Sequence, residues 1–332
     1  MPKDNFNQAL ELAAQIAATW NPAMKWMWGE ALLGYALSRL DELRGAEDYT
    51  PFLCAYCDHY LAHPPRVDQS DTCAPALITY QMQKKTGNPG YAALTGRVVH
   101  YIKNEPRLIE DSVNHLGNSL EGRLYPQSIW VDSLMMFSVF PSLYAKEQDD
   151  PAMMDIAARQ PRVMAKYMMD TESGLWYHSY WVKQKTHYPR GRVFWGRGNG
   201  WVVAALPMIL ENIGAHAERP AIVDILQATS AAVRGRPSDQ DSPRRSVKRH
   251  CSPSDDTSQR EASPGTTAPS ASTAVSPSNM SGAISMSAAE IARCGSSVVR
   301  LPPRARRSGD AVAGSVAARP DADAAPAVAA AS

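Results

Sequence analysis

The chain has 332 residues and a net charge of +1, with 34 basic and 33 acidic residues. This balance does not indicate a nucleic-acid groove, and the N-terminus lacks the basic start and apolar core of a signal peptide. Apolar runs stay shorter than a membrane span. The sequence therefore predicts a cytoplasmic protein with neither a nucleic-acid nor a membrane partner.

Composition divides the chain into two regions. All aromatic residues fall between Phe6 and Trp201. Residues 234–332 are rich in Ser, Pro, Ala and Arg, a composition that cannot bury enough apolar surface to offset chain entropy. We predict an ordered domain at 1–233 and a disordered tail at 234–332.

Helical periodicity dominates the first region, and strand alternation is almost absent. The predicted helices are, in chain order, 4–19, 27–44, 49–62, 71–86, 90–103, 128–146, 151–169, 199–213 and 218–233. Helices with one charged face alternate with helices that are apolar nearly all round. An outer helix followed by a buried inner helix, repeated, predicts an all-α toroid of helical hairpins.

In such a toroid the N-terminal ends of the inner helices meet at one mouth, and unusual residues stand at each of these ends. Trp28 lies at the first and Asp71 at the second. The third and fourth carry a larger set of candidates: Trp130, Asp132, Trp195, Arg197, Asn199 and Trp201. We predict that this mouth is the functional site.

The stretch "VFWGRGNGWVVAAL", residues 193–206, predicts an anion site. Gly196, Gly198 and Gly200 favour a sharp turn, and Asn199 is a candidate N-cap for the helix that follows. The guanidinium of Arg197 suits a carboxylate, and the flanking indoles suit the C–H faces of a sugar. The alternative is a helix cap with two core tryptophans and a surface arginine.

Three further side chains are candidates for acid–base chemistry. Asp132 lies inside an apolar run, where burial raises a carboxyl pKa and favours a general acid; its alternative is a structural network. Asp71 could serve only as an N-cap. His178, in "GLWYHSYW", could be a hydrogen-bonded structural histidine.

Five cysteines do not predict a disulfide framework. Cys54 and Cys57 form a lone CxxC without a second pair of ligands, so two buried thiols are expected and no metal site.

The motifs "YPQSIWVDSLMM", "GLWYHSYW" and "VFWGRGNGWVVAAL" resemble those of the unsaturated rhamnogalacturonyl hydrolases of glycoside hydrolase family 105, relatives of family 88. The resemblance covers about residues 5–233. It implies an (α/α)6 toroid of six hairpins, which agrees with the helix pattern.

The resemblance also implies a reaction, the hydration of a terminal 4,5-unsaturated uronate on oligosaccharides left by pectin-type lyases. Asp132 matches the residue that protonates C4 and helps water add at C5, and Asp71 matches the aspartate that binds ring hydroxyls. The hemiketal collapses and releases the neighbouring sugar. The remaining matches are to substrate-binding residues: Trp130, His178, Trp195, Arg197 and Trp201. No metal or organic cofactor is implied.

Two departures from the family accompany the match. Glu121 stands where many members have a histidine, for which His115 is a candidate substitute. The sequence predicts nine helices, whereas the six hairpins of the family fold contain twelve, which suggests a toroid that is incomplete at its C-terminus. The abrupt change in composition suggests that the tail is the product of a shifted reading frame. The alternatives to the hydrolase are an inactive or carbohydrate-binding remnant of the fold, and a toroid with epimerase or lyase chemistry.

Overall fold

The structure, a computed structural model, describes residues 3–235 and 298–300. The helices are α1 Lys3–Thr19, α2 Trp28–Arg44, α3 Thr50–Ala62, α4 Ala76–Thr86, α5 Pro89–Asn104, α6 Leu120–Leu124, α7 Val139–Gln148, α8 Pro151–Met168, α9 Gly196–Asn212 and α10 Arg219–Arg234. The strands are β1 Arg107–Ile109, β2 Ser112–Val113, β3 Ser128–Trp130, β4 Ser179–Trp181, β5 Thr186–Tyr188, β6 Val193–Trp195 and β7 Val298–Arg300. A 3₁₀ turn, Ser70–Thr72, precedes α4, and a π-helical segment, Leu134–Ser138, precedes α7.

Inner and outer helices alternate as the sequence predicts. The inner helices α2, α4, α7 and α9 pack in succession, and α3, α5, α8 and α10 lie outside them. Contact between inner helices is close: a Cβ on Gly34 of α2 would lie 2.3 Å from Cδ1 of Ile78 on α4. Glycine at position 34 therefore lets the backbones approach, and the core lies between the two layers.

Local signals set the ends of several outer helices. Asn88 and Asp150 accept hydrogen bonds from the backbone N–H groups of Gly90 and Met153, and a proline follows each cap. Gly45 ends α2 in the left-handed region, at φ 61°. These helices begin and end within one or two residues of their predicted bounds.

The predicted helix at 128–146 is wrong in its first half. Residues 128–130 form β3, which pairs with β4, and β4 pairs with β5 to give a three-stranded antiparallel sheet. A turn and the π-helical segment follow before α7 begins at Val139. A three-residue strand is too short to show an alternating pattern, so its apolar side chains fit the helical template equally well.

The structure describes only a small part of the predicted disordered tail, 234–332. Residues 236–297 and 301–332 lie outside the described residues, so the division of the chain at 233/234 stays a prediction. Val298–Arg300, which the sequence assigns to the disordered tail, instead form β7 and pair antiparallel with β6.

Candidate active site

Four chain segments meet at the N-terminal ends of the inner helices. Trp28 begins α2, and Asp71 lies in the 3₁₀ turn before α4. Trp130 ends β3, and Asp132 follows it in the turn that leads to α7. Trp195, Arg197 and Trp201 lie at the end of β6 and the start of α9.

Arg197 lies between two indole rings. Its Cζ is 4.3 Å from the ring centroid of Trp195 and 5.5 Å from that of Trp28. Trp28 in turn contacts Trp201 in a T-shaped arrangement with centroids 5.7 Å apart. Two aromatic faces hold the guanidinium plane by cation–π contact and leave its N–H groups for a ligand.

The glycine motif differs from its prediction. Residues 196–200 are the first turn of α9, and none of the three glycines has a positive φ. Gly198 is required by space, since a Cβ there would lie 2.9 Å from Cγ1 of Val131 and 3.0 Å from Cε3 of Trp195, whereas a Cβ at Gly200 would meet nothing within 4 Å. The missing methyl lets α9 lie against the turn that carries Asp132.

The N-cap prediction for Asn199 is also wrong, because Trp195 occupies the N-cap position. The Asn199 side chain is buried; its Oδ1 accepts from Trp176 N and its Nδ2 donates to the carbonyls of Trp176 and Trp195. Both amide N–H groups are thus used inside the protein. The geometry gives Asn199 a structural role, tying α9 to the 176–178 loop, in place of the predicted contact with substrate.

Asp132 lies under His178, with Nε2 of the imidazole 3.5 Å from its Oδ2. Burial raises the pKa of Asp132, while His178 and Arg197 oppose that rise. Burial also lowers the pKa of His178, against the attraction of Asp132. Burial therefore disfavours the charged form of both groups, the carboxylate of Asp132 and the imidazolium of His178.

Four buried polar atoms around this point have no hydrogen-bond partner among the described residues: Asp132 Oδ2, His178 Nε2, Arg197 Nε and Trp201 Nε1. The indole N–H of Trp201 interacts with the Asp132 carboxyl and so opposes the rise in its pKa, although the two groups do not reach normal hydrogen-bond geometry. Unpaired polar atoms cost free energy unless a ligand satisfies them. Their convergence on one carboxyl indicates a binding position.

Asp71 approaches the same place from the other side. The capping alternative is wrong, since Gln69 caps the 3₁₀ turn and Pro75 precedes α4. Burial, reinforced by the charge of Asp132 and opposed by Arg197, raises the pKa of Asp71 to about 7. Ionisation of one carboxyl therefore disfavours ionisation of the other.

His115 is the residue that the sequence underestimated. It is 1% exposed, stacks on Trp130 with ring centroids 4.5 Å apart, and has Nε2 3.5 Å from Asp71 Oδ1. Burial lowers its pKa to about 3, so it is neutral at physiological pH. Glu121, where many relatives have a histidine, is exposed on α6.

A serine relay fixes the orientation of His115. Its Nδ1 lies 2.8 Å from Ser133 Oγ, and that hydroxyl donates to Ser70 Oγ at 3.1 Å. Because the Ser133 hydrogen is used on Ser70, the imidazole donates from Nδ1 and presents a lone pair at Nε2 to Asp71. A serine beside a candidate aspartate in each motif, "SDT" and "VDS", is the sequence signal that marks this relay.

The aromatic rings complete the enclosure. His178 lies 4.7 Å from Trp130 and 4.7 Å from Trp195, centroid to centroid. The structure thus brings together every candidate of the sequence analysis, and assigns only Asn199 to packing. The arrangement provides one fixed cation, two carboxyls of raised pKa and indole walls, which can bind an anionic sugar ring and deliver a proton to it.

No group of three His, Cys, Asp or Glu side chains in the described part of the chain is arranged to hold a metal ion. Cys54 and Cys57 are free thiols on α3, and burial raises the pKa of each. None of the helices in residues 3–235 combines the length and apolar character that crossing a membrane requires. The cytoplasmic location stays a prediction.

Comparison with known proteins gives the following relatives. The chain is 24% identical over 201 residues to the unsaturated rhamnogalacturonyl hydrolase YesR of Bacillus subtilis (strain 168), covering 58% of this chain and 57% of YesR. It is 34% identical over 97 residues to the unsaturated 3S-rhamnoglycuronyl hydrolase of Alteromonas sp. (strain LOR), covering 28% and 23%. A family 105 glycoside hydrolase structure from C. acetobutylicum ATCC 824 superposes with a TM-score of 0.56 at 26% identity, covering 67% and 64%.

The chain therefore spans less than two thirds of the length of each of these proteins. The predicted all-α toroid of helical hairpins and the family resemblance are both confirmed. A family model described as Glycosyl Hydrolase Family 88 matches residues 4–244, most of the chain. The chain belongs to glycosyl hydrolase family 88.

Proposed function

We propose that the chain is a hydrolase that removes a terminal 4,5-unsaturated uronic acid from rhamnogalacturonan-type oligosaccharides by hydrating the C4=C5 double bond. The observation that carries the proposal is the convergence of unpaired atoms of Asp132, His178, Arg197 and Trp201 on one small, aromatic-walled space. An anionic, planar ring that needs one proton fits that set of groups.

Binding comes first. The substrate carboxylate pairs with the guanidinium of Arg197, whose plane is already held between Trp195 and Trp28. The C–H faces of the sugar lie against the indole walls. The cation and the carboxylate also neutralise each other, so the bound uronate does not add an unpaired charge beside Asp71 and Asp132.

Proton transfer follows. Asp132 gives its proton to C4 of the alkene, and the positive charge at C5 is shared with the ring oxygen. The ionised Asp132 then accepts a proton from water as the oxygen of that water bonds to C5. The product is a hemiketal, which opens to a keto sugar and releases the neighbouring sugar with its own hydroxyl restored.

The neutral state of His178 and His115 favours the protonated form of the neighbouring carboxyls, Asp132 and Asp71. A protonated His178 would form an ion pair with Asp132 and hold it ionised, and the burial that keeps His178 neutral prevents this. His115 acts in the same way on Asp71, which holds ring hydroxyls through its carboxyl. General acid catalysis at pH near 7 requires such raised carboxyl pKa values.

The names of the relatives support the same substrate class. YesR is an unsaturated rhamnogalacturonyl hydrolase and the Alteromonas relative an unsaturated 3S-rhamnoglycuronyl hydrolase. A solved relative described as "UGL_D88N/dGlcA-Glc-Rha-Glc" is 13% identical and supports only the fold. We propose unsaturated uronide oligosaccharides as the ligand.

The second candidate function is a carbohydrate-binding or inactive form of the same site. The observation that favours it is the length of the match, 57% of YesR. Such a chain would hold the unsaturated uronide between Arg197 and the tryptophans without releasing the neighbouring sugar.

One experiment separates the two functions. The full chain is mixed with an unsaturated rhamnogalacturonan disaccharide, and the ultraviolet absorbance of the conjugated alkene is followed while binding is measured by calorimetry. Loss of absorbance with release of the second sugar supports the hydrolase. Binding with constant absorbance supports the second function, and neither binding nor turnover overturns both.

A further inference from the structure

An aromatic face extends from the site along the three-stranded sheet. Residues directly opposite each other in antiparallel strands point to the same face. The register pairs Trp130 with Ser179 and Ser179 with Tyr188, and in the next row it pairs Ser128 with Trp181. Trp130, Trp181 and Tyr188 therefore share one face, and Trp130 already belongs to the site.

The rings on this face are in contact from the site outward. Tyr125 lies 5.7 Å from Trp130 and 5.7 Å from Trp181, centroid to centroid, in T-shaped arrangements. Trp181 stacks on Tyr188 with centroids 5.0 Å apart and planes 9° from parallel. We call Tyr125, Trp181 and Tyr188 the aromatic platform.

The opposite face of the sheet has a different character. Tyr180 and His187 lie opposite each other on it, and Tyr180 packs on Tyr167 while His187 stacks on Tyr177 at 3.9 Å. His187 is also tied to the Tyr167 carbonyl at 2.7 Å. This face is packed against the helices, so the platform is the face of the sheet that remains for a ligand.

The platform keeps binding capacity that the described residues do not use. Tyr188 is 39% exposed, although large aromatic rings are usually covered. Nε1 of Trp181 is buried and interacts with the Tyr125 hydroxyl, whose pKa it lowers against the larger effect of burial. The exposed ring of Tyr188 presents the kind of surface that packs against the C–H face of a sugar.

We propose that the aromatic platform is a subsite for the sugar residues that follow the unsaturated uronate. The inference rests on the proposed function, because it takes the uronate to lie between Arg197 and Trp130. Tyr188 is two strands away from Trp130, about 10 Å. A disaccharide therefore reaches Tyr125 at most, whereas the third sugar of a longer chain lies against Trp181 and Tyr188.

The test compares affinity for two lengths of the same lyase product. The full chain carrying Asp132→Asn, which cannot turn over substrate, is titrated with the unsaturated disaccharide and the unsaturated tetrasaccharide by calorimetry. We expect the tetrasaccharide to bind about threefold to tenfold more tightly, the effect of one aromatic contact. Adding Tyr188→Ala should remove that preference and leave disaccharide affinity unchanged.

Two further variants keep the test specific. Tyr188→Phe retains the ring and should retain the preference. Trp20→Ala removes another exposed ring, 48% exposed after α1, and should also leave it intact. Equal affinity for both lengths, binding of neither, or a preference that survives Tyr188→Ala overturns the platform. Failure of the unmodified chain to consume the alkene, with the length preference present, overturns only the hydrolase.

Discussion

Trp26 and Trp28 are separated by a single residue, but they belong to two aromatic clusters that differ in how their polar atoms are used. Trp26 is 7% exposed and packs on Tyr56 and Tyr60, and its Nε1 donates to the Thr72 carbonyl at 2.9 Å. The Tyr60 hydroxyl donates to the Met24 carbonyl at 2.6 Å. Every polar tip in this first cluster ends on a backbone acceptor.

The second cluster surrounds Trp28 and Arg197. In it, Nε of Arg197 and Nε1 of Trp201 are buried without a hydrogen-bond partner among the described residues. Both clusters contain tryptophan, and the stretch "KWMWGE" does not indicate that Trp26 belongs to the first cluster and Trp28 to the second. The difference teaches that aromatic density alone does not identify a sugar site. Unsatisfied donors and acceptors beside the rings identify it, because packing has no use for them.

The largest effect expected is on stability, from the first cluster. Trp26→Ala should lower the free energy of unfolding by about 3–5 kcal/mol, because it opens a cavity and leaves the Thr72 carbonyl without its donor. Trp28→Ala should lower it by less than half as much and weaken binding of the unsaturated disaccharide about tenfold. Urea titration and calorimetry measure the two effects; equal losses of stability would erase the distinction between the clusters.

The next effect is on the rate. Asp132→Asn should lower kcat at least about a hundredfold while the Kd for the disaccharide changes little, since an amide has no acidic proton to give but keeps the shape. Alkene absorbance gives kcat and calorimetry gives Kd. The thermal melt serves as the control for folding. Near-normal turnover by the variant would exclude Asp132 as the acid.

A third experiment compares two arginines five residues apart. Arg197→Lys should weaken disaccharide binding about tenfold, because a point charge replaces a planar fork held between two rings. Arg192 makes an ion pair with Asp170 at 2.6 Å, so Arg192→Lys is the matched control and should leave Kd unchanged. A similar loss in both variants would mean that the loss at 197 is a general structural effect and does not depend on the Arg197 fork.

The smallest effect concerns pH. The pKa of Asp71 is about 7 in the folded chain, above its unfolded value, so folding binds a proton between about pH 4 and 7 and stability falls as pH rises through that window. Asp71→Asn removes the penalty and should raise the free energy of unfolding at pH 8. The gain should disappear at pH 4. Denaturant melts at both values measure it, and a gain independent of pH contradicts the assignment.

The sequence predicted the long helices well because each has a sustained period and chemical signals at its ends. Asn88–Pro89 and Asp150–Pro151 start α5 and α8 where predicted. Strands of three residues carry no period, so β3 was taken for the start of a helix and β4 and β5 were missed. The pairing of β3 with β4 joins segments about 50 residues apart, which local patterns do not encode, whereas β4 and β5 form a local hairpin of two short strands.

The structure brings the candidate residues of the site together, and their roles stay predictions. Asp132 and Arg197 stood out because a charge inside an apolar or aromatic run needs an explanation. Asn199 was misassigned because cap propensity is a local rule, whereas its amide is used by the distant Trp176 backbone. The relay through Ser133 and Ser70 joins residues 63 positions apart, and neither serine is unusual on its own.

Position 198 has less room for a side chain than position 200. A methyl group there would meet Val131, the residue next to Asp132, and the ring of Trp195 that covers Arg197. At Gly200 the same methyl would meet nothing within 4 Å. A side chain at 198 would therefore press at once on the residue next to Asp132 and on the ring that covers Arg197.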